Sequence, residues 1–320
     1  MPFDPADRTV LVTGGAGFLA SHLIPILLDR GAEVVAVDID DYDLTLREQV
    51  QAMYREIEPA AVIHLAAAVG GIEANRQNPG RFFQANMAMG LHIIEGAREA
   101  RENGLEKLVV MGTTCGYPKF TPTPFKEEDF FNGYPEETNA PYGIAKRALL
   151  VMLQGYRAQF DLNGVYLIPA NLYGPGDNFD YESSHVIPAL IRKFVEAREA
   201  GTGPVEVWGS GTASREFLYV GDCARAITLA LEQYDSPEPV NLGTGTEITI
   251  SDLVEVIRTA VGYEGEIVWD ASRPDGQPRR RLDTSRAREG FGFEAGMSFE
   301  EGIRRTVEWF EAHRGDARGV

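Results

Sequence analysis

"TVLVTGGAGFLASHL", residues Thr9 to Leu23, decides the fold of this chain. Its first half is apolar and β-branched, the pattern of a buried strand. Its second half reads as the start of a helix. Between them Gly14 and Gly17 allow a tight turn and a close backbone approach to a ligand. Ala20, in the place of a third spaced glycine, is small enough to let the helix pack near the strand. Such a unit offers uncapped N–H groups and the positive end of a helix dipole, which suit a diphosphate. The predicted dinucleotide site is lined by Gly14, Gly17, Phe18 and Leu19, and a plain packing turn is the alternative that the motif alone leaves open.

The next strand, "EVVAV" (33–37), sharpens that reading. It ends in Asp38, about 20 residues past the glycines, where a carboxylate can bond the adenosine ribose hydroxyls. A 2′-phosphate there meets a like charge, and Ala16 offers no guanidinium to hold it. The residues therefore favour NAD over NADP. Asp43 and Leu44 are expected near the adenine, and Leu65, Ala66, Ala67 and Ala68 near the pyrophosphate.

Outward from this unit, strand-like runs alternate with amphipathic stretches. "AAVIHLA" (60–66), "KLVVMG" (107–112) and "GVYLIPA" (164–170) read as strands. Segments 82–102 and 140–160 read as helices. Alternation of this kind predicts an α/β fold with a doubly wound parallel sheet, a Rossmann domain over residues 1–170. From 171 to 320 the rhythm loosens into a smaller α/β substrate lobe, with some segments returning to the sheet. "EVWG", "EPVNLG" and "EIVWD" are read with that lobe, as are the helical patterns at 251–262 and 299–313.

Charge and cysteine usage narrow the partners. Lys plus Arg is 30 and Asp plus Glu is 48, a formal net charge of −18. So acidic a surface argues against nucleic acid and anionic membrane. Only Cys115 and Cys223 are present, without metal-ligand spacing, which predicts reduced thiols, no metal and a cytoplasmic protein. No apolar stretch is long enough to span a bilayer.

"PYGIAK" places Tyr142 and Lys146 four residues apart, on one helical face. A lysine ammonium and an oxidised nicotinamide would together lower the phenol's pKa. The phenol could then exchange a proton with a sugar hydroxyl or ketone near neutrality. Thr113 and Thr114 end the fourth strand beside that position. Cys115 and His185 can both titrate near neutrality, so one could remove a proton next to a ketone and the other return it on the opposite face. A buried thiol and a helix N-terminal histidine are the plainer readings. His22, His64, His92 and His313 read as packing or surface residues. Arg215 and Arg279 could grip diphosphate oxygens, although "RPDGQPRRRLD" (273–283) reads equally well as a solvated basic turn.

Taken together, "AAAVGGI" (66–72), "TTCGYPK" (113–119), "ETNAPYGIAK" (137–146), "NLYGPGDNF" (171–179), "SHVIPALIRKF" (184–194) and "WGSGTASREFL" (208–218) carry a resemblance. The chain resembles extended short-chain dehydrogenase/reductases of the nucleotide-sugar epimerase/dehydratase group. Within it the chain is most similar to the GDP-L-fucose synthase family of 3,5-epimerase-reductases. The resemblance implies Thr113, Tyr142 and Lys146 as the redox site, Cys115 as the base and His185 as the acid of epimerisation. It places Thr114, Asn171, Lys193, Trp208 and Arg215 along a GDP-linked sugar, Asn171 and His185 also beside the cofactor, and a homodimer through helices near 80–100 and 141–160. That family uses NADPH for net reduction and carries serines at 113 and 114 and a bulky aliphatic residue at 116. Gly116 is therefore expected to widen the sugar pocket. The leading expectation is an NAD-dependent GDP-sugar epimerase acting through a keto intermediate without net redox change. An NADPH-type epimerase-reductase, a simple C4 epimerase and a non-catalytic dinucleotide sensor are the alternatives.

Overall fold

The computed structural model describes residues 2–70, 72–181, 183–201, 203–272, 277–315 and 317–320, the side chains of 72–74 excluded. β1 (Thr9–Thr13) runs through the glycine turn into α1 (Phe18–Asp29), followed by β2 (Glu33–Val37), α2 (Arg47–Ile57), β3 (Ala61–His64) and α3 (Ile72–Gln77). α4 (Pro79–Ala100), β4 (Lys107–Met111), α5 (Ala140–Phe160) and β5 (Gly164–Pro169) complete the first half. The five predicted strands are all present, β1 and β2 with the predicted bounds and the other three trimmed by a residue or two at an end. β3 and β4 are buried at every position, as continuous apolar runs in a covered parallel sheet should be.

The second half adds β6 (Asn171–Tyr173), α6 (Val186–Ala200), β7 (Val205–Trp208), β8 (Ser214–Arg215), β9 (Phe217–Tyr219) and α7 (Val220–Gln233). β10 (Val240–Leu242), β11 (Ile248–Thr249), α8 (Ile250–Val261), β12 (Ile267–Asp270), α9 (Ser285–Phe291) and α10 (Phe299–Ala312) follow.

The main sheet has six parallel strands in the order β10-β5-β4-β3-β1-β2. Strand order reverses between β1 and β3, so the crevice for a ligand opens at their carboxyl ends, beside Thr13 and His64. "EPVNLG" does not belong to the lobe: its β10 pairs with β5. α7 likewise packs on α1, β4 and β5. The lobe holds β7 with β12 in parallel and β8 with β11 antiparallel, while β6 pairs with β9. It has its own apolar core, built on Ile191, Phe194, Leu253, Ile257, Ile303 and Phe310, apart from the larger core under the main sheet.

Candidate active site

The glycine turn has the geometry that a dinucleotide needs. Gly14 adopts φ +69°, which other residues avoid, and a Cβ on it would fall 3.0 Å from the Ala66 backbone. A Cβ on Gly17 would fall 2.8 Å from the Gly14 carbonyl oxygen. The turn can therefore be built only without side chains. No described side chain caps the first turn of α1, and its N–H groups stay available for an anion. Phe18 and Leu19 open that helix, and Leu65, Ala66 and Ala67 line the end of β3, all half-buried. The residues present thus fit a dinucleotide.

Asp38 does more than end β2. Its Oδ2 accepts from Ala16 N at 3.0 Å and its Oδ1 from Ile39 N at 2.7 Å. Its carboxylate therefore lies against the glycine turn itself. Asp43 is turned into its own loop, accepting from the amide and hydroxyl of Thr45. Leu44 is buried in the main core, and only its backbone is left to face an adenine.

At the end of β4, Thr113 caps the short turn Thr114–Gly116, its Oγ1 accepting from Cys115 N at 3.1 Å. The Thr113 side chain lies close enough to the Tyr142 phenol to act on its ionisation. α5 rests directly on this turn: a Cβ on Gly143 would fall 2.3 Å from the Cys115 carbonyl oxygen. Tyr142 and Cys115 are neighbours by this construction. Burial, chiefly, and nearby Cys115 push the Tyr142 phenol well above its ordinary range, against the pull of Thr113. Lys146 alone, apart from the oxidised nicotinamide expected beside it, does not lower the phenol, because its amine points elsewhere. Lys146 Nζ donates to the Met111 carbonyl at 3.1 Å, and burial lowers its pKa to about 8. Behind it His64 bonds Thr13 Oγ1 at 2.8 Å, and burial, then the Lys146 charge, lowers it to about 3. His22 and His92 are half-buried packing residues and His313 is a surface residue, bonded to the carbonyls of Pro175, Leu44 and Trp309.

Gly116 does not widen a pocket. A Cβ there would fall 2.4 Å from the Phe130 ring, which already fills the space. The carbonyl of Gly116 accepts from Arg147 Nε, and that of Gly133 from Arg147 Nη1 at 2.8 Å.

On the lobe side, Asn171 donates to the Glu216 carbonyl at 3.2 Å. Lys193 donates to the Glu206 carbonyl at 3.0 Å and sits 5.5 Å from the centre of the exposed Trp208 ring. Burial lowers the Lys193 pKa. Arg215 Nη1 donates to the carbonyls of Ser214 and Gln277 at 2.7 and 2.6 Å. Arg279 is committed to a forked ion pair with Glu247. Its expected role on a diphosphate would require that pair to open. Thr114 is buried. His185 is the N-cap residue of α6 and is exposed, and partial desolvation of its ring lowers its pKa. Gly71 of "AAAVGGI" and residues 273–276 of the basic turn lie outside the described residues.

Two groups were not assigned from sequence. Glu216, inside the quoted "SREFL", is buried and accepts from the amides of Leu282, Thr244 and Gly245 at 2.6, 2.6 and 2.8 Å. It ties the end of β10 to the strand that carries Arg215. Arg318, near the carboxyl end, donates to the Ala16 carbonyl on the glycine turn. Nearby Asp177 is buried with one oxygen unpartnered among the described residues, and burial raises it to about 7 against the opposing charge of Arg318.

Comparison with known proteins agrees with this geometry. Residues 10–243 match the NAD dependent epimerase/dehydratase family. The GDP-L-fucose synthase of Sinorhizobium fredii is 40% identical over 309 residues, covering 97% of both chains. That of Escherichia coli is 38% identical over 324 residues, covering 98% of this chain and 100% of its own. The crystal structure of a GDP-L-fucose synthetase from Naegleria fowleri bound to NADP superposes with a TM-score of 0.90 at 30% identity, covering 99% of this chain and 97% of that one. The chain belongs to the NAD dependent epimerase/dehydratase family, an NAD(P)-dependent enzyme similar in it to the GDP-L-fucose synthases.

Proposed function

We propose that this chain is a 3,5-epimerase and 4-reductase of a GDP-4-keto-6-deoxyhexose. The names of its relatives favour this over an epimerase without net redox change. The observation that carries it is the joint placement of Cys115 and Tyr142 on one ledge, with the phenol held protonated. A protonated phenol is a donor, and a donor is what reduction of a ketone at C4 requires.

A ketone at C4 acidifies the C–H bonds at C3 and C5. Cys115 removes the proton, and Tyr142 and Thr113 hold the C4 oxygen as negative charge develops there. His185, from the lobe side, returns a proton to the opposite face. A bound nicotinamide supplies the hydride. Tyr142 then gives its proton to the C4 oxygen, and Lys146 can stabilise the phenolate left once its amine turns from the Met111 carbonyl. Lys193, Trp208 and Arg215 hold the nucleotide end of the substrate. Asp38 against the glycine turn favours the cofactor without a 2′-phosphate.

NMR in deuterated water, with NADH or NADPH consumption followed in parallel, tests the reading. The unmodified enzyme places solvent deuterium at C3 or C5 and consumes one reduced cofactor per sugar. Cys115→Ser abolishes the exchange. Tyr142→Phe lowers hydride transfer by roughly two to four powers of ten while cofactor binding persists. Inversion without cofactor consumption would instead favour the redox-neutral epimerase, the reading that Asp38 and Ala16 also suit.

The proposal includes a homodimer through α4 and α5, supported by exposed Phe83, Leu91 and Val151 on those helices. Sedimentation should give twice the chain mass, and Leu91→Glu with Val151→Glu should halve it.

A further inference from the structure

We infer that Arg147 is a positioning residue for the epimerisation half of the reaction, holding the Thr114–Gly116 turn so that Cys115 stays at its station. The inference rests on the reading of Cys115 as the base. Arg147 is 6% exposed, and among the described residues no carboxylate pairs with it. Burying an unpaired guanidinium is costly, and its fork is spent on two main-chain carbonyls, those of Gly116 and Gly133. Its flat face lies over Phe130 and Phe131, 5.5 and 5.6 Å from the ring centres. The Phe130 ring in turn occupies the space that a side chain at Gly116 would take.

The Cys115 turn is thus fixed on three sides. Thr113 Oγ1 takes the Cys115 amide, Gly143 lets α5 press on the Cys115 carbonyl, and Arg147 holds the carbonyl that follows. Tyr142 needs none of the Arg147 contacts, because it sits on the first turns of α5, which is held by its own buried face. Loosening Arg147 should therefore separate the two half-reactions. A base displaced by about 1 Å loses on the order of a hundredfold, whereas hydride transfer and its proton donor keep their places.

The experiment compares Arg147→Met, Arg147→Lys and Gly116→Ala with the unmodified enzyme and Cys115→Ser. One readout is deuterium exchange at C3 and C5. The other is oxidation of the GDP-6-deoxyhexose product in the reverse direction, which needs no epimerisation. In Arg147→Met, exchange should fall about ten- to a hundredfold while reverse oxidation changes by less than about threefold. Arg147→Lys, with the charge but no fork, should lie between. Gly116→Ala should lose exchange by pushing the Phe130 ring, and adding Phe130→Leu should restore it. Reverse oxidation also reports that each variant is folded, and if Arg147→Met loses it, the Gly116→Ala and Phe130→Leu pair decides. Parallel loss of both activities in all variants, or unchanged exchange, overturns the inference while the function stands. Exchange that persists in Cys115→Ser overturns both, because the group that Arg147 is inferred to hold would not be the base.

Discussion

Asp38 shows how one carboxylate can set two properties. By accepting from Ala16 N it braces the glycine turn, and in the proposed reading its charge would also disfavour a 2′-phosphate. Asp38→Ala combined with Ala16→Arg should therefore narrow or reverse a preference for NADH over NADPH, read as the ratio of dissociation constants by calorimetry. Equal affinity of the unmodified protein for both would remove the premise. Asp38, Tyr142 and Lys146 stand out in the sequence because each sits in a local pattern that its proposed chemistry requires, and Cys115 stands out through the family resemblance. Arg147, Glu216 and Arg318 could not. Their partners lie 31, 28 to 66, and 302 residues away, and no short-range spacing encodes such contacts. The Arg279 pairing was likewise hidden, since its partner Glu247 lies 32 residues away. Gly116 was read as an opening because a missing side chain cannot say which ring fills the space.

Among the elements, α5 bears most directly on the chemistry. It carries Tyr142 and Lys146, and at Gly143 it touches the Cys115 backbone. Gly143→Ala would drive a methyl group into a carbonyl that cannot rotate away. The expected cost is about 1–3 kcal/mol in stability, measured by urea unfolding, together with a loss of deuterium exchange larger than the loss of cofactor affinity. Long buried strands and long helices were legible because each repeats its pattern over several turns or pleats. β8 and β11, two residues each, are too short to show any period. β10 was visible as the short run Val240-Asn241-Leu242, but its neighbour in the sheet was not, since strand order is a property of tertiary packing.

At the scale of the whole molecule, two buried titrating groups act on stability with opposite sign. His64 is depressed to about 3 from an ordinary value of 6.5. Its contribution is complete above pH 6.5 and is lost as pH falls toward 3. Asp177 is raised to about 7 from 3.8, so its contribution is complete below pH 3.8 and is lost as pH rises through 7. Each is worth up to about 1.4 kcal/mol per pH unit, and between roughly pH 4 and 6.5 they offset one another. His64→Asn should expose the Asp177 slope, with stability falling as pH rises, and Asp177→Asn should expose the reverse. Chemical denaturation at three pH values in that window checks both signs.

The return of β10 to the main sheet, with α7 laid over α1, also governs how the protein can be taken apart. The chain leaves the cofactor half after β5, builds lobe segments, comes back to finish the sheet, and leaves again for α8 and α10. A fragment ending at residue 170 would present β5 as a raw edge and α1 without its cover, an invitation to strand-to-strand aggregation. Neither half is a cassette. A chimaera that exchanges sugar specificity between such enzymes must therefore graft separate lobe segments around residues 220–243 rather than splice at a single junction.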